Sequence, residues 1–148
     1  MSTNKENPID ASQSLKALGE SGTRNEGLYK FEKPDPEVLE SFEFTGQASV
    51  VEAQTEEFTC LCPKTGQPDF AVISIRYVPN NKCVESKSLK LYLMGYRNYG
   101  CFHEHIVNKI AGDLQECIGA RRLEVIGNFK ARGGITFRCT AVRELAGE

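Results

Sequence analysis

Two alternating runs separated by a stretch that reverses direction constrain this chain more than any other feature. The first, from Ser49, carries Val50, Val51, Ala53, Thr55, Phe58 and Thr59; the second sets Ala71, Ile73, Ile75 and Tyr77 against Val72, Ser74, Arg76 and Val78. A period of two marks a strand with unlike faces. Between them lies Cys62-Pro63-Lys64-Thr65-Gly66-Gln67-Pro68-Asp69. Pro63 pushes Cys62 toward extended backbone, and Thr65-Gly66-Gln67-Pro68 turns the chain back. The two runs are predicted to be antiparallel strands with a thiol and a carboxyl at the mouths of one loop.

The remaining patterns complete a fold class. Behind a serine able to cap, Leu89, Tyr92, Leu93 and Tyr96 share a face, which predicts a helix from Ser86 to about Asn98. After Gly100, Ile106, Ile110, Leu114 and Cys117 or Ile118 recur at helical spacing up to Gly119. Two more strands follow, Arg122 to Lys130 and Ile135 to Val142, joined at Arg132-Gly133-Gly134 as a hairpin. Strand, strand, helix, helix, strand, strand argues for an α+β domain: a four-stranded antiparallel sheet with both helices on one face. At 148 residues there is room for one such domain, placed at 28–148, plus a tail at 1–27. That tail is rich in Ser, Asn, Glu, Lys and Gly, and is expected to lack fixed structure or to fold against a partner. Leu28 to Pro36, with Tyr29 and Phe31, reads as an extended arm over the domain or as a plain linker.

A formal charge of −2 with interleaved acids and bases gives no field suited to coating nucleic acid. No apolar run nears the roughly 20 residues of a membrane span, and Met1 to Pro8 is unlike a signal peptide. A cytoplasmic protein is expected. The six cysteines are then read as reduced thiols rather than a disulfide framework. No Cys-x-x-Cys pair exists, and His103 and His105 would point to different sides of a helix, so no metal site is expected.

Several residues could carry chemistry. Most cysteines are small buried hydrophobes, but Cys62 has a lysine two positions on, and a nearby cation favours the nucleophilic thiolate. Asp69, across the loop, could protonate whatever that thiolate attacks. Lys87 and Lys90 stand beside a helix N-terminus, where cation and dipole together suit phosphate, although a solvated helix face has the same spacing. Arg132 before two glycines could also approach a phosphate, or simply turn. His103-Glu104 opens the second helix; Glu104 could read two adjacent N–H donors of a purine-like edge, or merely complement the helix dipole. A Rossmann or P-loop fingerprint is missing.

Taken together, Phe58-Thr59-x-Leu61-Cys62-Pro63-Lys64-Thr65-Gly66-Gln67-Pro68-Asp69-Phe70, Val84-Glu85-Ser86-Lys87-Ser88-Leu89-Lys90-Leu91-Tyr92, Phe102-His103-Glu104 and Arg132-Gly133-Gly134 resemble the NADPH-dependent 7-cyano-7-deazaguanine reductase family in its single-module form. The resemblance spans about Tyr29 to Val142. It implies a tunnelling fold related to GTP cyclohydrolase I, in homo-oligomeric rings with active sites at subunit boundaries. It implies reduction of a nitrile to a primary amine with two NADPH, in the pathway to the queuosine of transfer RNA. The substrate is a free base, so contact with nucleic acid is not required.

By position, the resemblance makes Cys62 the nucleophile that forms a covalent thioimide and Asp69 the proton donor. Glu104 and His103 would grip the base, and Val84, Glu85 and Ser86 would form a second substrate-contacting segment. Lys87, Lys90 and Arg132 become candidates for NADPH phosphates. Some relatives carry a cysteine two residues after the substrate glutamate that can pair with the nucleophile; here Ile106 stands there, and Cys60 is the nearest thiol in sequence. Two other functions remain open on the same fold: a zinc-dependent cyclohydrolase, and a ring that binds ligand without turnover.

Overall fold

The structure, a computed structural model, describes residues 31–47 and 49–147. The expected tail and the Leu28–Lys30 part of the arm lie outside the described residues. Four long strands form one antiparallel sheet in the order β2-β3-β5-β6: β2 (Val51–Leu61), β3 (Pro68–Val78), β5 (Arg122–Arg132) and β6 (Ile135–Glu144). Two helices, α1 (Ser86–Met94) and α2 (His103–Ile118), sit between β3 and β5 in the chain. A two-stranded ribbon, β1 (Ser41–Glu43) with β4 (Lys82–Val84), was not expected. Three residues are too short a run to show a period. No helix among the described residues is long and apolar enough to cross a membrane.

The β2 strand explains its own mixed pattern. Its register with β3 shifts between Thr55 and Phe58, with Thr55 opposite Ile73 and Phe58 opposite Ala71. One extra residue on β2 is a bulge, and it exchanges the two faces. Before it the odd positions are the more buried; after it Phe58 and Cys60 turn inward. On β3 the parity holds throughout, so Asp69 is the first member of the buried row Ala71, Ile73, Ile75 and Tyr77. A carboxyl is thereby carried into the end of the core rather than left at the loop surface.

α2 lays Ile106, Val107, Ile110, Ala111, Leu114 and Ile118 over β5 and β6 and ends on Gly119 at φ 54°. There a glycine takes the left-handed cap without strain. α1 begins on Glu85, whose carboxylate accepts the Lys87 and Ser88 amides at 2.7 Å each. The helix stops at Met94, not near Asn98. From Gly95 the chain tightens into i to i−3 bonds, and the Asn98 amide donates to the Phe31 carbonyl at 2.7 Å. The described part of the arm is therefore bound: Arg97 lies over the Phe31 ring, and a Cβ on Gly95 would sit 2.7 Å from the Lys33 carbonyl. Between the helices, the Tyr92 hydroxyl donates to Asp113 at 2.6 Å and meets the Tyr96 hydroxyl at 2.9 Å, while Lys109 bonds the same Asp113 oxygen. Burial, more than these bonds, pushes both tyrosines up, so they remain neutral struts.

Candidate active site

The loop after β2 is anchored on both sides. The Leu61 amide donates to the Tyr99 carbonyl and the Cys101 amide to the Leu61 carbonyl, pairing Leu61 with Gly100. Gly100 suits that approach, since a Cβ there would make a tight 3.3 Å contact with Pro63 Cα. Inside the loop the Cys62 amide donates to Gln67 and its carbonyl accepts from Gly66, whose φ is 70°. Cys62 is thus fixed at the start of a closed turn and is partly exposed.

Its sulfur is the most acidic thiol of the described residues. The Thr65 hydroxyl first, then the Thr65 and Lys64 backbone N–H groups, and last the Arg132 side chain hold Cys62 down at about 6, from an ordinary 9.0. Donors aimed at the sulfur stabilise its charged form. Lys64 acts through its amide, whereas the sequence pointed to its ammonium. Cys60, directly opposite Asp69, is buried and pushed up to about 12 by burial first and the Asp69 charge second. Two neighbouring thiols therefore differ sharply in reactivity at neutral pH. All six cysteines are free.

Asp69 is 4% exposed and fully engaged. Arg132 Nε meets Oδ1 at 2.9 Å, Arg132 Nη2 donates to Oδ2 at 3.1 Å, and His103 Nε2 lies 3.0 Å from Oδ2. His103 is itself held flat against Phe129, with centroids 3.8 Å apart and planes 8° apart. Arg132 reaches this point because β5 and β6 slip register between Phe129 and Arg132, a bulge at the hairpin tip that re-aims the side chain. Gly133 and Gly134, at φ 59° and 77°, close the tip. The guanidinium that the sequence offered to phosphate is placed on the carboxyl.

The other candidate residues fall elsewhere. Glu104 is exposed on the first turn of α2, near enough to Cys139 for its charge to raise that thiol beyond the effect of burial. Val84 donates its amide to the Tyr77 hydroxyl at 3.2 Å, and Glu85 spends its carboxylate on the α1 cap, leaving Ser86 exposed beside them. Along β3, Tyr77 is eight residues from Asp69, about 27 Å at 3.4 Å per residue. Even after the reach of the Tyr77 side chain, the 84–86 segment and the Cys62–Asp69 pair are too far apart in one chain to grip the same small base.

A cavity of about 370 Å³ lies between α1 and the β2–β3 face. Its walls are apolar at Phe58, Ile75 and Leu93, and Ser86, Lys90 and Arg97 bring polar groups to it. Lys87 stands outside this lining. Sequence reasoning missed Thr65, Arg97 and the contact of Arg132 with Asp69. Only Thr65 had a local signal, a hydroxyl inside a turn that also accepts the Gln67 amide.

The family model described as QueF-like protein matches residues 68–146. The NADPH-dependent 7-cyano-7-deazaguanine reductase of Bacillus subtilis (strain 168) is 49% identical over 138 residues, covering 92% of this chain and 79% of that one. The enzyme of the same name from Caldanaerobacter subterraneus subsp. tengcongensis is 48% identical over 116 residues, covering 77% and 87% respectively. Among solved structures, the apo archaeosine synthase QueF-Like superposes with a TM-score of 0.61 at 18% identity, over 66% of this chain and 95% of that one. That likeness supports the tunnelling fold and nothing beyond it.

Proposed function

This chain belongs to the family of NADPH-dependent 7-cyano-7-deazaguanine reductases, and from that membership we propose that it reduces its nitrile through a covalent adduct on Cys62. The substrate is 7-cyano-7-deazaguanine, the product is its aminomethyl counterpart, and the reductant is NADPH, in queuosine biosynthesis. The observation that carries the covalent route is the closed turn that fixes Cys62, whose Thr65 hydroxyl and Thr65 and Lys64 amides favour the thiolate.

In the first step the sulfur bonds to the nitrile carbon, one carbon–nitrogen π bond breaks, and the nitrogen takes a proton from Asp69, which that carboxylate has first received from the adjacent His103. A nitrile nitrogen becomes basic as sulfur adds, so an acid beside it lowers the barrier. His103, in contact with Asp69, is placed to return the proton. Glu104 would orient the base through its N–H edge. NADPH, when bound, supplies the hydride for each of the two reductions. The cavity beside α1 has the apolar walls and the cations Lys90 and Arg97 that suit part of a dinucleotide; Lys87 would contribute from the same helix.

The separation along β3 supports a site completed by a neighbouring copy, with Val84, Glu85 and Ser86 of one subunit facing Cys62 and Asp69 of another. Two features favour such assembly. Among the described residues β2 and β6 are the sheet edges, and β6 exposes Ile135 at 62% and Phe137 at 47%. We place the reaction in the cytoplasm, where thiols remain reduced. The stretch from residue 28 onward is the catalytic domain.

The test is intact-protein mass spectrometry with 7-cyano-7-deazaguanine and no NADPH. An adduct of the whole substrate mass is expected on Cys62 and absent from Cys62→Ala. A folded protein that forms no adduct would refute the covalent route, and sedimentation as a monomer only would refute the shared site.

A further inference from the structure

We propose that Phe129 is the positioning residue of the proton route: its ring, laid back over Gly127, fixes the plane of the His103 imidazole and so keeps Nε2 on Asp69. The inference rests on the nitrile reductase reading and concerns how protons reach that same site. With Arg132 forked on both its oxygens, Asp69 is a carboxylate acceptor, so the hydrogen in the 3.0 Å contact is carried by His103 Nε2. In the addition step an imidazolium gives that hydrogen to Asp69, which passes it to the nitrile nitrogen. The ring is left neutral with Nδ1 protonated, the carboxylate is as before, and the negative charge of the sulfur has been cancelled.

The route depends on where one edge of an imidazole points, and the outer torsion of a histidine is broad and soft. The Asp69 contact fixes that edge, and the stack fixes the plane. The Phe129 and His103 rings lie 3.8 Å apart between centroids and within 8° of parallel. Phe137, opposite Phe129 on β6, closes a second side with its ring at 71° and 5.8 Å. The face of a phenyl ring also attracts a cation, the form of imidazole that has a proton to give.

The sheet is shaped for this stack. Phe129 is buried opposite the small Ala71, which follows Asp69 in the inward row of β3. Two positions back on the same face of β5 stands Gly127, where a Cβ would lie 2.8 Å from Phe129 Cε2 and 2.8 Å from Val107 Cγ2. Val107 is one helical turn beyond His103 on α2. The absent side chain therefore admits the Phe129 ring and Val107 together, and sets the depth at which the first turn of α2 rests on β5. Phe129 acts through His103 and not on the substrate.

Phe129→Leu keeps the core apolar and removes the flat face. Adduct formation from the nitrile without NADPH should slow by about tenfold or more, while substrate Kd changes less than about threefold. In a His103→Gln background the same substitution should cost less than about twofold, because the ring that Phe129 positions is gone. Slowing by the same factor in both backgrounds would overturn the proposal and mark Phe129 as a packing residue. The chain has two histidines, so the His103 Nε2–H hydrogen can be followed by NMR without substrate. Its exchange with solvent should be faster by about tenfold or more in Phe129→Leu. Gly127→Ala, which keeps the phenyl ring but displaces it, should change adduct rate and exchange in the same direction. Unchanged exchange in folded Phe129→Leu would overturn the proposal. Should the wild-type protein form no adduct at all, the covalent reading falls instead, and the exchange measurement still decides whether Phe129 holds His103 on Asp69.

Discussion

Thr65→Val removes one hydroxyl from a turn that otherwise keeps its backbone, and so isolates the main cause of the acidity of Cys62. With a midpoint at about 6, about a quarter of Cys62 is thiolate at pH 5.5, against about three in ten thousand for a thiol at the ordinary 9.0. Lower basicity costs nucleophilicity, by about 15- to 30-fold over that difference at a Brønsted slope of about 0.4–0.5. The net advantage of Cys62 over an ordinary thiol is then about 25- to 50-fold at pH 5.5 and only about 3- to 6-fold at pH 7. The assay therefore belongs at low pH: reaction with dipyridyl disulfide, followed by intact mass and peptide mapping. The turn amides of Thr65 and Lys64 remain in the variant, so its midpoint should rise but stop short of 9.0. If it rises halfway, thiolate at pH 5.5 drops to about 1% and the rate by about fivefold after the gain in nucleophilicity. A wild-type midpoint at or above about 8, or a Thr65→Val profile superimposable on wild type, would refute the account of a turn-activated sulfur.

Three further perturbations separate roles that share a neighbourhood. Asp69→Asn cannot supply a proton, so adduct formation should slow by about 100-fold or more while substrate Kd changes only a few-fold; equal losses in rate and affinity would mark Asp69 as a packing residue. Glu85→Ala removes the acceptor for two α1 amides and should cost about 1 kcal/mol in denaturant unfolding. Unchanged stability with a raised substrate KM would show instead that its carboxylate serves the ligand. Gly95→Ala would bring a Cβ to 2.7 Å from the Lys33 carbonyl and 2.8 Å from Pro34 Cα, both backbone atoms with little room to give. A loss of about 1–3 kcal/mol is expected, and a neutral result would mean the arm is not held against α1.

Legibility from sequence followed the range of the interactions. Periods of two and 3.6, the Gly119 cap and the Gly133-Gly134 hairpin depend on residues within a few positions of each other, and these elements stand where the patterns put them. The row Ala71, Ile73, Ile75, Tyr77 was likewise visible, because β3 keeps one parity from end to end, whereas the sequence puts Asp69 at the mouth of the loop and not in that row. β2 did not, since its bulge exchanges faces in mid-strand, and a bulge is set by the partner strand rather than by composition. α1 ended early because residues 31–34 pack against its last turn, a contact across some sixty positions that no helical propensity contains.

The chain's own order of residues thus determined the family, the sheet-and-helix succession, and the loop that sets a thiol near a carboxyl. Tertiary structure decided what those two groups experience. Arg132 is 63 residues from Asp69 in sequence and one hydrogen bond from it in space, and the register slip at the end of β5 aims it there. Charge and exposure act through distance in three dimensions, so the chemistry of the site became readable only when distant strands were laid side by side.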